Sequence, residues 1–205
     1  MREAFIVFDF ETSGMSPQEG ARATEIGAVR VENGKIVSSF QSLMNAGVRI
    51  PPFIRELTGI SDAMIAKAPP AKEVMRDFRD FLGDLPLVAH NASFDRRFLE
   101  AELSRIGLEA RQPIACSMLV SRRIYPDAPD HKLGSLLRHL GIETGEVFHR
   151  ALADAHHAAR LWLQMETELH SRYGFEEIPF EMMKRLESVP KRNANDSLRR
   201  WANRS

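Results

Sequence analysis

The stretch FIVFDFETSG, residues 5–14, decides how the chain is read. Residues 5–10 form an apolar run interrupted only by Asp9, the pattern of a strand covered on both faces. Glu11 follows Asp9 by two positions, and side chains two apart on a strand point to the same face. Two carboxylates thus share one face at the end of a strand otherwise built of Phe, Ile and Val. Carboxylates in that setting are costly without compensation. A divalent cation supplies it, because oxygen-rich sites suit magnesium or manganese. An isolated D-x-E is also what an ordinary solvated strand end looks like, so the pair does not settle the matter alone.

Working outward, residues 23–31 (ATEIGAVRV) and 36–43 read as a second and third strand, with Asn33-Gly34 as the hairpin turn between them. Pro51-Pro52 opens a short helix ending near Gly59. Residues 71–82 carry apolar side chains at 74, 75, 78, 81 and 82, a helical stripe. Residues 86–89 read as a short buried strand, 94–106 as a helix stopped by Gly107, and 114–117 as one more strand. Residues 133–140 and 152–173 read as helices, the second stopped by Gly174. Strands first, then strands and helices in alternation, imply an α/β fold with a mixed sheet covered by helices. Residues 1–174 are read as the main domain. Residues 175–205 are read as an extension, helical within FEEIPFEMMKRLESV, whose end KRNANDSLRRWANRS has the polar, basic composition of disorder.

A length of 205 residues suits this plan, and a hydrophobic fraction of 43% is ordinary for a globular core. Cys116 is the only cysteine, which excludes a disulfide within the chain, disfavours a thiolate cluster and fits a reducing cytoplasm. Cys116 itself reads as a small core residue. The first residues hold too short an apolar run for a signal peptide, and no run approaches the roughly 20 apolar residues of a membrane span. The expectation is a soluble, cytoplasmic protein with no membrane partner. The 28 basic and 28 acidic side chains cancel, which argues against a surface that coats nucleic acid broadly but not against an enzyme gripping one strand end.

Two further segments hold chemistry-bearing residues. Asp95 lies in HNASFDRRFL, in the first turn of a helix after a buried strand, where an acid also serves the helix dipole. His149 and Asp154 form H-x4-D, a loop histidine before a helix-start acid. A histidine titrates near neutrality, where a general base is effective. Each signal has a bland alternative, and it is their combination that carries weight.

Taken together, the motifs resemble the DEDDh branch of the DnaQ-like exonucleases, the family of the proofreading subunit of bacterial DNA polymerase III. D-x-E-T-x-G appears at residues 9–14, H-N-x-x-F-D at 90–95 and H-x4-D-A at 149–155. Glu25-Ile26-Gly27-Ala28 and Leu57-Thr58-Gly59-Ile60 match as well, so that the likeness covers residues 4–168. It implies a ribonuclease H-like fold with a central mixed sheet of about five strands, the first three antiparallel. It also implies that Asp9, Glu11, Asp95 and Asp154 ligate two divalent ions, Mg2+ or Mn2+, and that His149 is the general base. Glu25 is placed beside these ligands, not among them. The implied reaction removes nucleoside 5′-monophosphates from a 3′ end, single-stranded or frayed.

For the terminal nucleotide the resemblance points to Thr12, Ser13, Gly14, Met15, Leu57, Thr58, Asn91 and Phe94. Leu57 serves equally well as a core residue, and Phe94 as an anchor of its helix. DNA is favoured over RNA, because the wording is closer to the polymerase-associated group. The alternatives are an RNA-trimming exoribonuclease or a polymerase-associated accessory module. In the second case Phe180, Met182, Met183, Leu186 and Trp201 either dock on a partner such as a DNA polymerase or fold back on the domain. Arg96-Arg97 and Arg122-Arg123 are read as phosphate contacts or solvated helix surface, and His156-His157 as exposed helix polarity.

Overall fold

The computed structural model describes residues 3–144 and 149–203. Three strands, β1 (Phe5–Thr12), β2 (Ala23–Glu32) and β3 (Lys35–Leu43), form an antiparallel meander. β4 (Leu87–Ala89) lies parallel to β1, and β5 (Ile114–Cys116) parallel to β4, giving the order β3-β2-β1-β4-β5. The helices are α1 (Pro52–Thr58), α2 (Asp62–Lys67), α3 (Ala71–Leu82), α4 (Ala92–Ser104), α5 (Ser117–Ile124), α6 (Leu133–His139), α7 (Ala151–Tyr173), α8 (Phe180–Leu186) and α9 (Ala194–Ala202). This mixed five-stranded sheet with its helices is the ribonuclease H-like α/β fold expected from the sequence.

The alternation along β1 divides the interior. Phe5 and Val7, with Val29 and Val31 of β2, join a cluster built around Trp162 and Met165 of α7. Ile6, Phe8 and Phe10, with Ile26 and Ala28, face Phe78 and Leu82 of α3 and Phe98 and Leu99 of α4. Each such side chain withdrawn from water contributes about 1.5–3 kcal/mol, so the register of β1 is fixed from both sides. The α7 face that begins with Phe5 and Val7 continues as Asp9 and Glu11. α7 runs antiparallel to β1: the Trp162 ring lies 6.0 Å from Phe5, while the start of the helix lies over Gly27, the β2 residue opposite Asp9.

β1 extends two residues past the apolar run, and α4 begins two residues before the expected Phe94. Neither α2 nor α5 is among the expected elements, although α2 carries a start signal in Ser61, whose hydroxyl accepts from the Met64 N–H. α5 starts directly at the end of β5, so no loop signal separates them.

The tail takes the fold-back alternative, and its last stretch, expected to be disordered, is helical. Phe180, Met183 and Leu186 are buried in the same cluster as Trp162, with the Phe180 ring 6.1 Å from the indole. Phe180, Met183 and Leu186 thus cover their own domain, while Met182 and Trp201 pack against that cluster with part of their surface still exposed. The polar, basic end forms α9 because Ala194 and Leu198, one turn apart, bury a narrow stripe within it; residues 204–205 lie outside the described residues. No described helix is long and apolar enough to cross a membrane.

Candidate active site

The four acids arrive from three segments. Asp9 and Glu11 leave β1 on its α7 face, both half-buried. Asp95 projects from the first turn of α4 and is 2% exposed. β4 pairs with β1 at Ile6 and Val7 and ends at Ala89, so the backbone N–H of Phe10 lies beyond it. That N–H donates to Asp95 Oδ1 at 3.0 Å, which ties α4 to the acid-bearing end of β1. The turn before α4 is tightened by Asn91 in the left-handed region at φ 63°, a conformation asparagine tolerates. Asp154 sits in the first turn of α7, and its Oδ2 accepts a hydrogen bond from the His149 backbone N–H at 3.0 Å. His149 is exposed and holds φ 67°.

Their proximity shows in their proton affinities. Burial, then the neighbouring Asp95, Asp154, Glu11 and Glu25 carboxylates, push Asp9 well above the usual carboxylate range. Burial and the Asp154, Glu25 and Asp95 carboxylates push Glu11 up to about 8, although Arg150 pulls it back. Burial raises Asp95 to about 7 despite the hydrogen bond from Phe10. Asp154 is raised by burial against the opposing pull of the His149 N–H. Carboxylates that repel one another in a desolvated corner are relieved by protons or by a cation. Oxygens of Glu11 and Asp154 and a ring nitrogen of His149 lie within 4.8 Å of one another, close enough to share one ion. The donor set therefore fits a hard divalent cation.

One residue that the motifs do not announce as a ligand holds this end together. Glu25 is fully buried, opposite Glu11 in the β1–β2 register. It accepts hydrogen bonds from Arg150 Nη2 at 2.7 Å, Arg150 Nε at 3.1 Å, the Ala151 N–H at 3.2 Å and Gln41 Nε2 at 2.9 Å. The bidentate pair fixes the entry to α7, between His149 and Asp154. Arg150 was not singled out by sequence, because its partner lies 125 residues away. Glu25→Gln should lower stability by about 2 kcal/mol, the scale of lost hydrogen bonds to a charged group, and turnover by about 10–100-fold at nearly unchanged KM. Thermal melts and steady-state kinetics check this; wild-type kcat in a folded variant would release Glu25 from the positioning role.

The expected substrate contacts divide. Met15 is 68% and Leu57 50% exposed, so Leu57 does not take its core alternative. Asn91 is exposed as well. Phe53, one turn before Leu57 on α1, is equally open to solvent. Thr12 is buried and donates to the Gly14 carbonyl at 2.7 Å, while Ser13 Oγ accepts from the Arg22 N–H. These bonds shape the turn at Gly14, where an added Cβ would meet Ala21 Cβ at 3.2 Å. Thr58 is turned inward: its hydroxyl donates to Ile54 O and accepts from the Ile60 N–H. Phe94 is partly buried against the cluster that holds Phe78 and Phe98, its ring tilted against that of Phe98 one turn on with centroids 5.0 Å apart, which fits its reading as an anchor of α4.

Two histidines have structural surroundings. His90 bonds Ser117 Oγ and the His131 carbonyl, and burial lowers it to about 4, so it stays neutral. His157 is 1% exposed and lies 3.8 Å from Asp154, in contrast to the expected exposed polarity, because α7 turns it toward the sheet side.

Comparison with known proteins agrees with this geometry. The RNase_T exonuclease family model matches residues 6–162. The DNA polymerase III subunit epsilon of Aquifex aeolicus is 33% identical over 184 residues, 89% of each chain. The PolC-type DNA polymerase III of Bacillus subtilis is 39% identical over 166 residues, 80% of this chain but 11% of that one. The chain thus spans about a tenth of the PolC-type polymerases it matches. Among solved structures, exonuclease X in complex with 5′ overhanging duplex DNA superposes with a TM-score of 0.71 at 27% identity, covering 90% of this chain and 99% of that one. Motifs, fold and likenesses converge, and the chain belongs to the exonuclease family, in its DnaQ-like, DEDDh branch.

Proposed function

We propose that the chain is a divalent-metal-dependent 3′→5′ exonuclease that releases nucleoside 5′-monophosphates from DNA ends, of proofreading or repair type, acting in the cytoplasm. The observation that carries this is the convergence of Asp9, Glu11, Asp95 and Asp154 from three distant segments, with an exposed histidine beside them. Asp9, Glu11, Asp95 and Asp154 would hold two ions, Mg2+ or Mn2+. Bound there, such ions supply an acidified water and neutralise charge on the leaving 3′ oxygen.

The chain's own residues do the rest. His149 stands in solvent at the rim, with its backbone tied to Asp154, and takes the proton of the attacking water. Glu25 and Arg150 hold that loop in place. Gly14 allows close backbone approach at the turn after Glu11, while Met15 and Leu57 present apolar surface for the terminal base. DNA is the favoured substrate because the related chains are DNA polymerase III components and a DNA-bound exonuclease. A DNA polymerase is the proposed partner, through a surface other than the packed sides of α8 and α9.

Digestion of matched 5′-labelled single-stranded DNA and RNA with Mg2+, Mn2+ or EDTA tests the reading. A metal-dependent ladder shortening from the 3′ end is expected, faster on DNA. A faster RNA ladder would move the reading to RNA trimming, and no ladder on either would reject it. His149→Ala should lose about 10²–10⁴-fold in rate while calorimetric Mn2+ affinity is kept. An equal loss of metal affinity would make His149 a ligand, which its distance from Glu11 and Asp154 also permits.

A further inference from the structure

The folded tail builds a groove at the far end of α7. Its walls are the last turns of α5 and α7, the segment after Pro190 and α9, and it encloses about 710 Å³. Arg123, Arg172, Lys191 and Arg199 line it, together with Tyr173 and Asn195. None of its described lining residues is acidic, although the whole chain has equal numbers of acids and bases. The concentration of positive charge is therefore local.

Backbone oxygens hold these cations in place. Arg123 donates from Nε to Val189 O at 2.9 Å and from Nη1 to Leu119 O at 2.8 Å. Arg172 donates to Ile124 O at 3.1 Å, and Glu168 grips its other side. Carbonyls orient a guanidinium without cancelling its charge, which leaves Arg123 preorganised for an anion. Lys191 and Arg199 stand exposed opposite. Burial and then Arg122 lower Arg123 although Glu187 and Cys116 pull it up, and burial, Lys191 and Arg122 lower His131 against the Tyr125 carbonyl and Asp130.

We propose that this groove binds the phosphate backbone of the nucleic acid at a distance from the end being cut. The inference rests on the exonuclease reading above and deepens it. Eighteen helical residues separate Asp154 from Arg172, about 27 Å at 1.5 Å per residue. At about 3.4 Å per nucleotide along one strand, that is roughly eight nucleotides. A strand must exceed this length to occupy both places, so the groove acts as an anchor for long substrates. A phosphate track fits Arg123, Lys191 and Arg199 among polar side chains, with Arg172 already paired to Glu168, and every nucleic acid presents it whatever its sequence.

The test compares Lys191→Gln with Arg199→Gln, as a double variant, against the wild-type chain. Fluorescence anisotropy of a labelled 30-nucleotide and a 5-nucleotide single strand is read across a salt series, with EDTA present so that nothing is cut. The double variant should bind the 30-mer about tenfold more weakly at low salt. Its log–log salt slope should fall by about 1.4, since each phosphate contact on a single strand contributes about 0.7. The 5-mer should bind as before, and metal-dependent release of nucleotide from it should be unchanged, which also shows that the variant is folded. Equal loss for both lengths, or an unchanged 30-mer slope, overturns the anchor; an acidic protein displaced by the substitutions while the 30-mer is not would assign the groove to a protein partner instead. Failure of the wild type to release nucleotide at all would sink the nuclease reading, and the binding comparison would still decide the groove.

Discussion

Asp9→Asn is expected to abolish turnover and, in the absence of divalent metal, to make the protein more stable. Both effects come from one cause. The site packs four carboxylates that burial raises, with neighbouring carboxylates adding to the rise of Asp9, Glu11 and Asp95. Asparagine at position 9 keeps the shape and carries no acid, so the cost of burying a strongly raised carboxyl there is removed. Glu11 and Asp95 have folded values pushed to about 8 and about 7, above those of an unfolded chain. A group raised on folding contributes stability that is full below its unfolded value and is lost as pH rises through its folded value. The metal-free wild type therefore loses stability between pH 5 and pH 8, and Asp9→Asn loses less. At pH 8 in EDTA the variant should gain about 2 kcal/mol, or roughly 4–8 °C in melting temperature for a chain of this size. Metal reverses the ranking, because cations compensate the wild-type charges and bind more tightly as the acids lose their protons. Activity should fall by roughly 10³-fold or more, since several kcal/mol of charge stabilisation is lost. Melting curves with and without Mn2+ at both pH values check this. A variant less stable than the wild type in EDTA at pH 8 would show that the four acids do not form one strained cluster.

Much of this site was legible because the relevant information is local. The alternation of β1 puts Asp9 and Glu11 on one face by spacing alone, and Asn33-Gly34 sets the β2–β3 hairpin. Asp95 and Asp154 each stand at a helix start that the sequence marks. What was not legible depends on distant pairs or on missing punctuation. Glu25 and Arg150 are ordinary residues until the fold brings them into a bidentate contact. Thr58 looks like an outward-facing residue until α1 turns its hydroxyl onto Ile54 and Ile60. α5 follows β5 with no turn residue between them, so its start carries no signal. α9 hides an apolar stripe, Ala194 and Leu198 with Trp201 and Ala202 partly buried beside them, among charges and amides whose average suggests disorder. Its burial depends on the surface offered by α5 and α7, which the tail's own sequence does not reveal.

Gly27 shows how backbone shape places an acid that it never touches. It lies opposite Asp9 in the β1–β2 register, and α7 crosses it so closely that an added Cβ would sit 2.1 Å from Leu152 N and 2.2 Å from Ala151 C. No side-chain rotation relieves contacts with main-chain atoms. Gly27→Ala therefore forces β2 and the start of α7 apart by an ångström or so. That displaces Asp154, the His149 loop and the Ala151 N–H that Glu25 holds. Overpacking of this kind costs about 1–3 kcal/mol, occasionally more, and a shift of about 1 Å in a reacting group costs about 10²-fold in rate. The expected result is a folded but less stable enzyme, with turnover reduced about 10²-fold and DNA binding in the distal groove retained. Gly20→Ala is the control: its Cβ meets nothing within 4 Å, so only the modest strain of its left-handed φ applies, and activity should stay near wild type. Full activity in Gly27→Ala would mean that α7 does not rest on β2, and the placement of Asp154 beside Asp9 and Glu11 would lose its structural basis.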